Sequence, residues 1–199
     1  FVSESIFIGS AKDKKAAIIE VSPKNFGVYE VPNSASQLIC SNHFQSAVYA
    51  NDKKNQKHIL ESHSKYRFER MEELLDENSK MNPEIAVDIL RDKKGLDEKD
   101  IGFGNEKALN QLLAHHSIVF KPEDLMVWVS SNPYQLGEFV AYDLKEIFSK
   151  ENKVNAKTSL SKSNRNIQED SFLHSEAYRS YEKYRDLYRI VTKAIAQET

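Results

Sequence analysis

Five consecutive residues, Cys40-Ser41-Asn42-His43-Phe44, bring a thiol, an amide and an imidazole together in one short stretch. They follow the aliphatic pair Leu38-Ile39, at what reads as the end of a β-strand, and polar groups where a chain leaves a sheet are well placed for a site. Asn42 and His43 suit such a site. They also suit turn hydrogen bonds, with Phe44 packed in the core. A nucleophilic Cys40 needs a base within hydrogen-bond reach, and His43 is the nearest candidate in sequence. Residues three apart on an extended strand face opposite ways, so these two side chains diverge. Cys40 after two aliphatic residues reads more simply as a small core side chain.

A second set is Ser64-Lys65-Tyr66-Arg67-Phe68-Glu69-Arg70, which places Arg67 and Arg70 about one helical turn apart. Two guanidinium groups so placed can clamp a carboxylate bidentately. They can equally pair with Glu69, Glu73 and Glu77 as an ordinary solvated helix face. The tyrosines at 178, 181, 184 and 188 could stack on a ligand, but a helix docking that stripe onto a sheet accounts for their spacing. His58, His63, His115, His116 and His174 show no paired ligand spacing, and there is no second Cys, so no metal is expected. Neither a GxGxxG nor a P-loop pattern occurs, and Gly102-Phe103-Gly104 reads as a turn, so no cofactor is expected either.

These side chains need a scaffold, and the first 40 residues read as β. Short apolar runs at Ser5–Gly9, Ala16–Val21, Gly27–Val31 and Gln37–Cys40 are separated by turn chemistry, which describes a four-strand antiparallel meander. Helical spacing follows over Ser62–Glu77. Asn82-Pro83 then opens another helix that Gly95 ends, and a shorter helix is expected over Glu106–Leu113. Strands return at His116–Phe120, Leu125–Ser130 and Glu138–Tyr142 as a second meander. The stretch 149–169 is rich in Lys, Asn and Ser and reads as an exposed mobile loop, followed by a long C-terminal helix over 171–197. Strands, helices, strands and a helix make an α+β plan, with antiparallel sheets and covering helices.

Composition sets the outer limits. The chain has 199 residues, which suits a single domain or the C-terminal portion of a larger one. A net charge of −2 excludes a general nucleic-acid binder, which needs a basic surplus. A mean hydropathy of −0.61, with no apolar run near ~18 residues, excludes a membrane-spanning helix. The single Cys excludes an internal disulfide and leaves the compartment, cytoplasmic or exported, open.

The ordered pieces Glu20-Val21-Ser22-Pro23, Asn42-His43-Phe44, Ser64-x-x-Arg67-x-x-Arg70, Val119-Phe120-Lys121-Pro122 and Trp128-Val129-Ser130 resemble one family. Between about Ile6 and Phe148 the chain is similar to the C-terminal part of the acyl-coenzyme A:6-aminopenicillanic-acid acyltransferases, cysteine-type N-terminal-nucleophile hydrolases. The resemblance implies part of an αββα sandwich that cleaves or transfers acyl groups on small acyl-amide or acyl-thioester substrates. In such enzymes an N-terminal Cys attacks and its own α-amine, which titrates near pH ~8, serves as base. Asn42 would donate to the oxyanion, while His43, Phe44, Ser64 and Arg67 would contact substrate. The family's nucleophile lies upstream of the segment that Phe1 begins, and Cys40 does not inherit its role. The chain is therefore expected to need a missing N-terminal segment or a second chain, to be inactive alone, and to pair its open sheet edges, for example as a homo-oligomer. The alternative is a non-catalytic α+β module that binds a ligand or peptide.

Overall fold

A computed structural model describes residues 4–32, 34–149 and 159–197. They divide into two compact units. The first takes the chain up to Lys80 together with Lys94–Ile101 and Glu106–Leu109, and the second takes Met81–Lys93, Gly102–Asn105 and the chain from Asn110 onward.

The first unit opens with strands β1 (Glu4–Ser10), β2 (Lys15–Val21) and β3 (Phe26–Glu30), an antiparallel sheet in sequence order. Ile6 faces Ile19, Ile18 faces Tyr29 and Glu20 faces Gly27 across the ladder. Because side chains alternate, Ile18 and Glu20 share a face, and both are fully buried. That face is covered by the short 3-10 turn Ala47–Tyr49 and the residues leading into it. Gly27 makes the close approach possible, since a Cβ there would lie 2.2 Å from Ser46 Oγ and 3.3 Å from the Tyr49 ring.

The expected fourth strand around Leu38 does not form, and 37–40 runs without strand pairing. The Ile39 carbonyl is taken by Gln45 Nε2 at 2.8 Å, and its side chain is buried, so this stretch anchors a loop and does not extend the ladder. Helix α1 (Lys53–Glu61), which the apolar pattern does not mark, is capped by Asp52 accepting from Asn55 N at 2.8 Å. Helix α2 (Ser64–Glu77) follows, as its spacing predicts. Arg70 is fully buried within this unit, paired with Glu73 at 2.9 Å and with Glu98, so it forms no surface clamp.

The second unit holds α3 (Pro83–Leu90), capped by Asn82 accepting from Ile85 N at 2.8 Å, and the meander β4 (Ile118–Lys121), β5 (Met126–Ser130) and β6 (Phe139–Asp143). Its core joins Val87 to Val119, Met126, Trp128, Phe139 and Ala141. The helix stops at Leu90, and Arg91 turns inward to donate to the carbonyls of Gln135, Gly137 and Gln168 at 3.0, 2.9 and 2.8 Å.

No helix covers 106–113. Asn110 Oδ1 accepts from Leu112 N at 2.9 Å, a local bond that competes with helix formation. Of the polar stretch 149–169, residues 150–158 lie outside the described residues. The part from 159 does not read as a free loop but lines β6: Phe139 and Ile167 exchange backbone bonds at 2.9 and 3.0 Å, and Lys162 N donates to Ala141 O at 2.7 Å. Backbone and Asn166 satisfy the open strand edge there, a job that needs few apolar residues.

The short helix α4 (Leu144–Ile147) follows β6, and the C-terminal helix α5 spans Glu176–Gln197 after a 3-10 turn at Ser171–His174. Its tyrosine stripe does not dock on the sheet. Tyr178 meets Phe172 edge-on, Tyr181 approaches Phe103, and Tyr184 and Tyr188 stay exposed. Two antiparallel three-stranded sheets with accompanying helices make an α+β chain.

Candidate functional site

The residues singled out by their chemistry gather in the first unit, on the loop 40–46 and the start of α2. Glu20 sets the loop's position. It was legible only as a lone carboxylate in the apolar run of β2, on the same face as Ile18. Its buried carboxylate accepts from Gln45 N at 2.6 Å and Ser46 N at 2.9 Å. Asn55, for which the sequence held no signal, clamps Phe44 from the other side: Phe44 N donates to Oδ1 at 3.0 Å and Nδ2 donates to Phe44 O at 2.9 Å. The Phe44 ring stacks on Tyr49, with centroids 4.1 Å apart. Tyr49 OH in turn donates to Asn25 O at 2.8 Å, tying the loop to the β2–β3 turn. A loop fastened at so many points holds its side chains in one arrangement.

Asn42 is exposed, and its Oδ1 accepts from Arg67 Nη2 at 2.7 Å. Guanidinium groups only donate, so this contact fixes which end of the amide is oxygen. The Nδ2 group then points away from Arg67, with no hydrogen-bond partner among the described residues. Arg67 also donates to Glu106 O, and burial pulls its pKa below the usual range while the charge of Glu106 pulls it back.

His43 Nδ1 lies 2.8 Å from Ser64 Oγ, and Ser64 Oγ lies 3.1 Å from Ser41 Oγ. Ser64 is fully buried at the start of α2, and the His43 ring tilts against Phe68 at 5.7 Å. Burial first, and the charges of His58, Arg67 and Lys65 after it, push the imidazole below its ordinary pKa against the opposing pull of Glu20. His43 is therefore neutral at pH 7. Burial also raises the Cys40 thiol, outweighing a hydrogen bond with Ser5, so Cys40 is a thiol and not a thiolate at neutral pH.

A cavity of about 740 Å³ opens beside this loop, within the range of small-molecule sites. Pro23, Phe44 and Tyr49 give it apolar wall, and Cys40, Ser41 and Asn42 face it as well. His43, Ser64 and Arg67, expected at the substrate, do not line it. Ser64 and Arg67 bond to the lining residues Ser41 and Asn42, and His43 bonds to Ser64. Among the described residues, no cluster of His, Cys, Asp or Glu could hold a metal, and no helix is long and apolar enough to cross a membrane.

Residues 3–135 match the family described as acyl-coenzyme A:6-aminopenicillanic acid acyl-transferase. The chain belongs to that family. The match takes in the whole 40–46 loop, the start of α2 and all the cavity-lining positions. Acyl transfer or the related hydrolysis is the chemistry that membership in the acyl-transferase family indicates. No curated protein and no solved structure matches the chain significantly.

Proposed function

We propose that the cavity is the acyl pocket of a cysteine-type amide hydrolase or acyltransferase and that Asn42 is its oxyanion donor. One observation carries this: Arg67 holds the Asn42 oxygen, leaving an Nδ2 without a partner among the described residues, on a residue that lines the cavity. An oxyanion donor must be fixed before charge develops and must not be consumed by the protein. The guanidinium also polarises the amide, which makes Nδ2–H a stronger donor. Phe44 and Tyr49 supply apolar contact for an acyl chain. His43, Ser64 and Arg67 act from behind as supports.

Cys40 is not the nucleophile of this amide reaction. Its amine is locked in a peptide bond, its thiol is raised by burial, and no placed base reaches it. The reacting thiol comes from sequence outside these 199 residues or from a second chain. Two antiparallel meanders support an αββα sandwich of the N-terminal-nucleophile kind as the complete fold. The substrate class is a small acyl amide or acyl thioester.

The test is hydrolysis of N-acyl-4-nitroanilides by the whole protein, wild type against Asn42→Ala. Loss of one oxyanion donor lowers kcat about 10²–10³-fold, with little change in melting temperature because Asn42 is exposed. Unchanged kcat in Asn42→Ala removes the oxyanion role. Saturable acyl-ligand binding without any turnover moves the assignment to a binding module.

A further inference from the structure

The three hydroxyl and imidazole groups around Asn42 form a chain that the acyl-amide reading leaves without a task. Ser41 lines the cavity, Ser64 sits buried behind it at 3.1 Å, and His43 closes the row 2.8 Å further on. Serine hydroxyls rotate, and each can donate once while accepting from another. As placed, Ser64 Oγ donates to Ser41 Oγ; once both hydroxyls turn, with the ring proton on Nε2, the bonds run from Ser41 to Ser64 and from Ser64 to His43 Nδ1. That is the polarity a nucleophile needs.

We infer that Ser41 is a nucleophile for small acyl esters and thioesters, with Ser64 relaying its proton to His43. Ser41 Oγ bonds to the carbonyl carbon while its proton moves to Ser64 Oγ and the Ser64 proton moves to His43 Nδ1. Asn42 Nδ2 donates to the carbonyl oxygen as it gains charge. Collapse breaks the bond to the alcohol or thiol, which recovers a proton from the imidazolium through the same two hydroxyls. Water then attacks the acyl-serine by the same route and releases a carboxylic acid. The neutral state of His43 suits it as the acceptor.

The substrate class follows from what His43 lacks. Among the described residues no carboxylate bonds its Nε2, so the imidazolium has no hydrogen-bonded counter-charge and only the unbonded charge of Glu20 favours it. Losing that partner drops kcat about 10⁴-fold in serine triads, which leaves esters and thioesters with good leaving groups and excludes unactivated amides. This inference rests on the oxyanion role of Asn42 but needs no thiol from elsewhere.

The experiment treats the chain with a fluorophosphonate probe, locates the adduct by peptide mass spectrometry, and follows 4-nitrophenyl acetate hydrolysis. The expected label is on Ser41. Ser64→Ala, which removes only the middle hydroxyl, should label at least tenfold more slowly while melting within a few degrees of wild type. A label elsewhere, ester hydrolysis equal in wild type and Ser41→Ala, or undiminished labelling in a folded Ser64→Ala overturns the proposal. The pH profile serves if Ser64→Ala does not fold. Labelling should fall as the medium drops through the imidazole range, since His43 is the group facing Ser64, with His58, Lys65, Arg67 and Glu20 as its charged or titratable neighbours. A flat profile sinks the relay. Labelling of Ser41 that survives Asn42→Ala leaves the serine standing and removes the oxyanion role. No label on Ser41 combined with amide turnover lost in Asn42→Ala removes the serine alone.

Discussion

Arg67 Nη2 donates to Asn42 Oδ1 at 2.7 Å, joining α2 to a loop residue 25 positions earlier. Arg67 does not line the cavity, so under the proposed oxyanion role it acts through Asn42. Replacing it with Met frees the amide to rotate and removes the polarising charge. The expected result is a kcat lowered by about 10–100-fold with KM changed less than threefold, because orientation and not binding is lost. Arg67→Lys should recover part of the rate, since an ammonium can still donate to Oδ1 but cannot also hold Glu106 O in the same fork. A KM effect as large as the kcat effect would place Arg67 at the substrate instead.

Glu20 carries the other half of the loop's position. Its two carboxylate oxygens accept from consecutive amides, Gln45 N and Ser46 N, in a fully buried place. Glu20→Gln keeps one good acceptor and turns the other oxygen into a donor facing an N–H. Such an unsatisfied buried group costs about 1–3 kcal/mol, to be read as a lowered midpoint in urea at unchanged slope. Glu20→Ala should cost at least as much. Stability within experimental error of wild type would show that these bonds do not hold the loop.

The residues show which parts of this arrangement the sequence could carry. The ladders of both sheets follow from alternation, as where Ile18 and Glu20 share a buried face. The stretch at Leu38 has the apolar run of a strand but not its role, because a distant side chain, Gln45, takes the Ile39 carbonyl. Helix α1 stayed hidden because it buries no residue and so needs no apolar stripe. The resemblance names Asn42 and Arg67 in separate roles, and their bond was not legible because no local rule links residues 25 positions apart. Asn55 gave no signal, because an asparagine clamp on a backbone segment looks like any other surface asparagine.

Cys40 offers a test of the site's electrostatics. Burial raises its pKa, more than the hydrogen bond with Ser5 lowers it. Only the thiolate alkylates, so iodoacetamide should react slowly at pH 7 and the rate should still be rising above pH ~9. Both unfolding in urea and exposure to higher pH should speed the reaction. A rate at pH 7 above that of a free thiol would mean that Cys40 is activated, and the thiol's exclusion from the chemistry would have to be withdrawn.

In the second unit, Asp170 gives stability a dependence on pH whose sign can be worked out. Burial alone would raise its pKa, but hydrogen bonds from Lys93 Nζ at 2.9 Å and Phe172 N at 2.8 Å outweigh it, and the folded pKa lies below the usual value. A carboxylate depressed on folding binds its proton more readily in the unfolded chain. Its contribution is therefore complete above the unfolded pKa, near ~3.9, and is lost as pH falls through the folded one. Asp170→Asn should destabilise the protein by about 1–2 kcal/mol at pH 7, and the gap to wild type should close as the pH drops below ~4. Denaturation midpoints of the two proteins between pH 7 and 3 measure this directly. A gap that stays constant across that range would mean that Asp170 acts through its shape as the cap of the Ser171–His174 turn, with its charge contributing nothing.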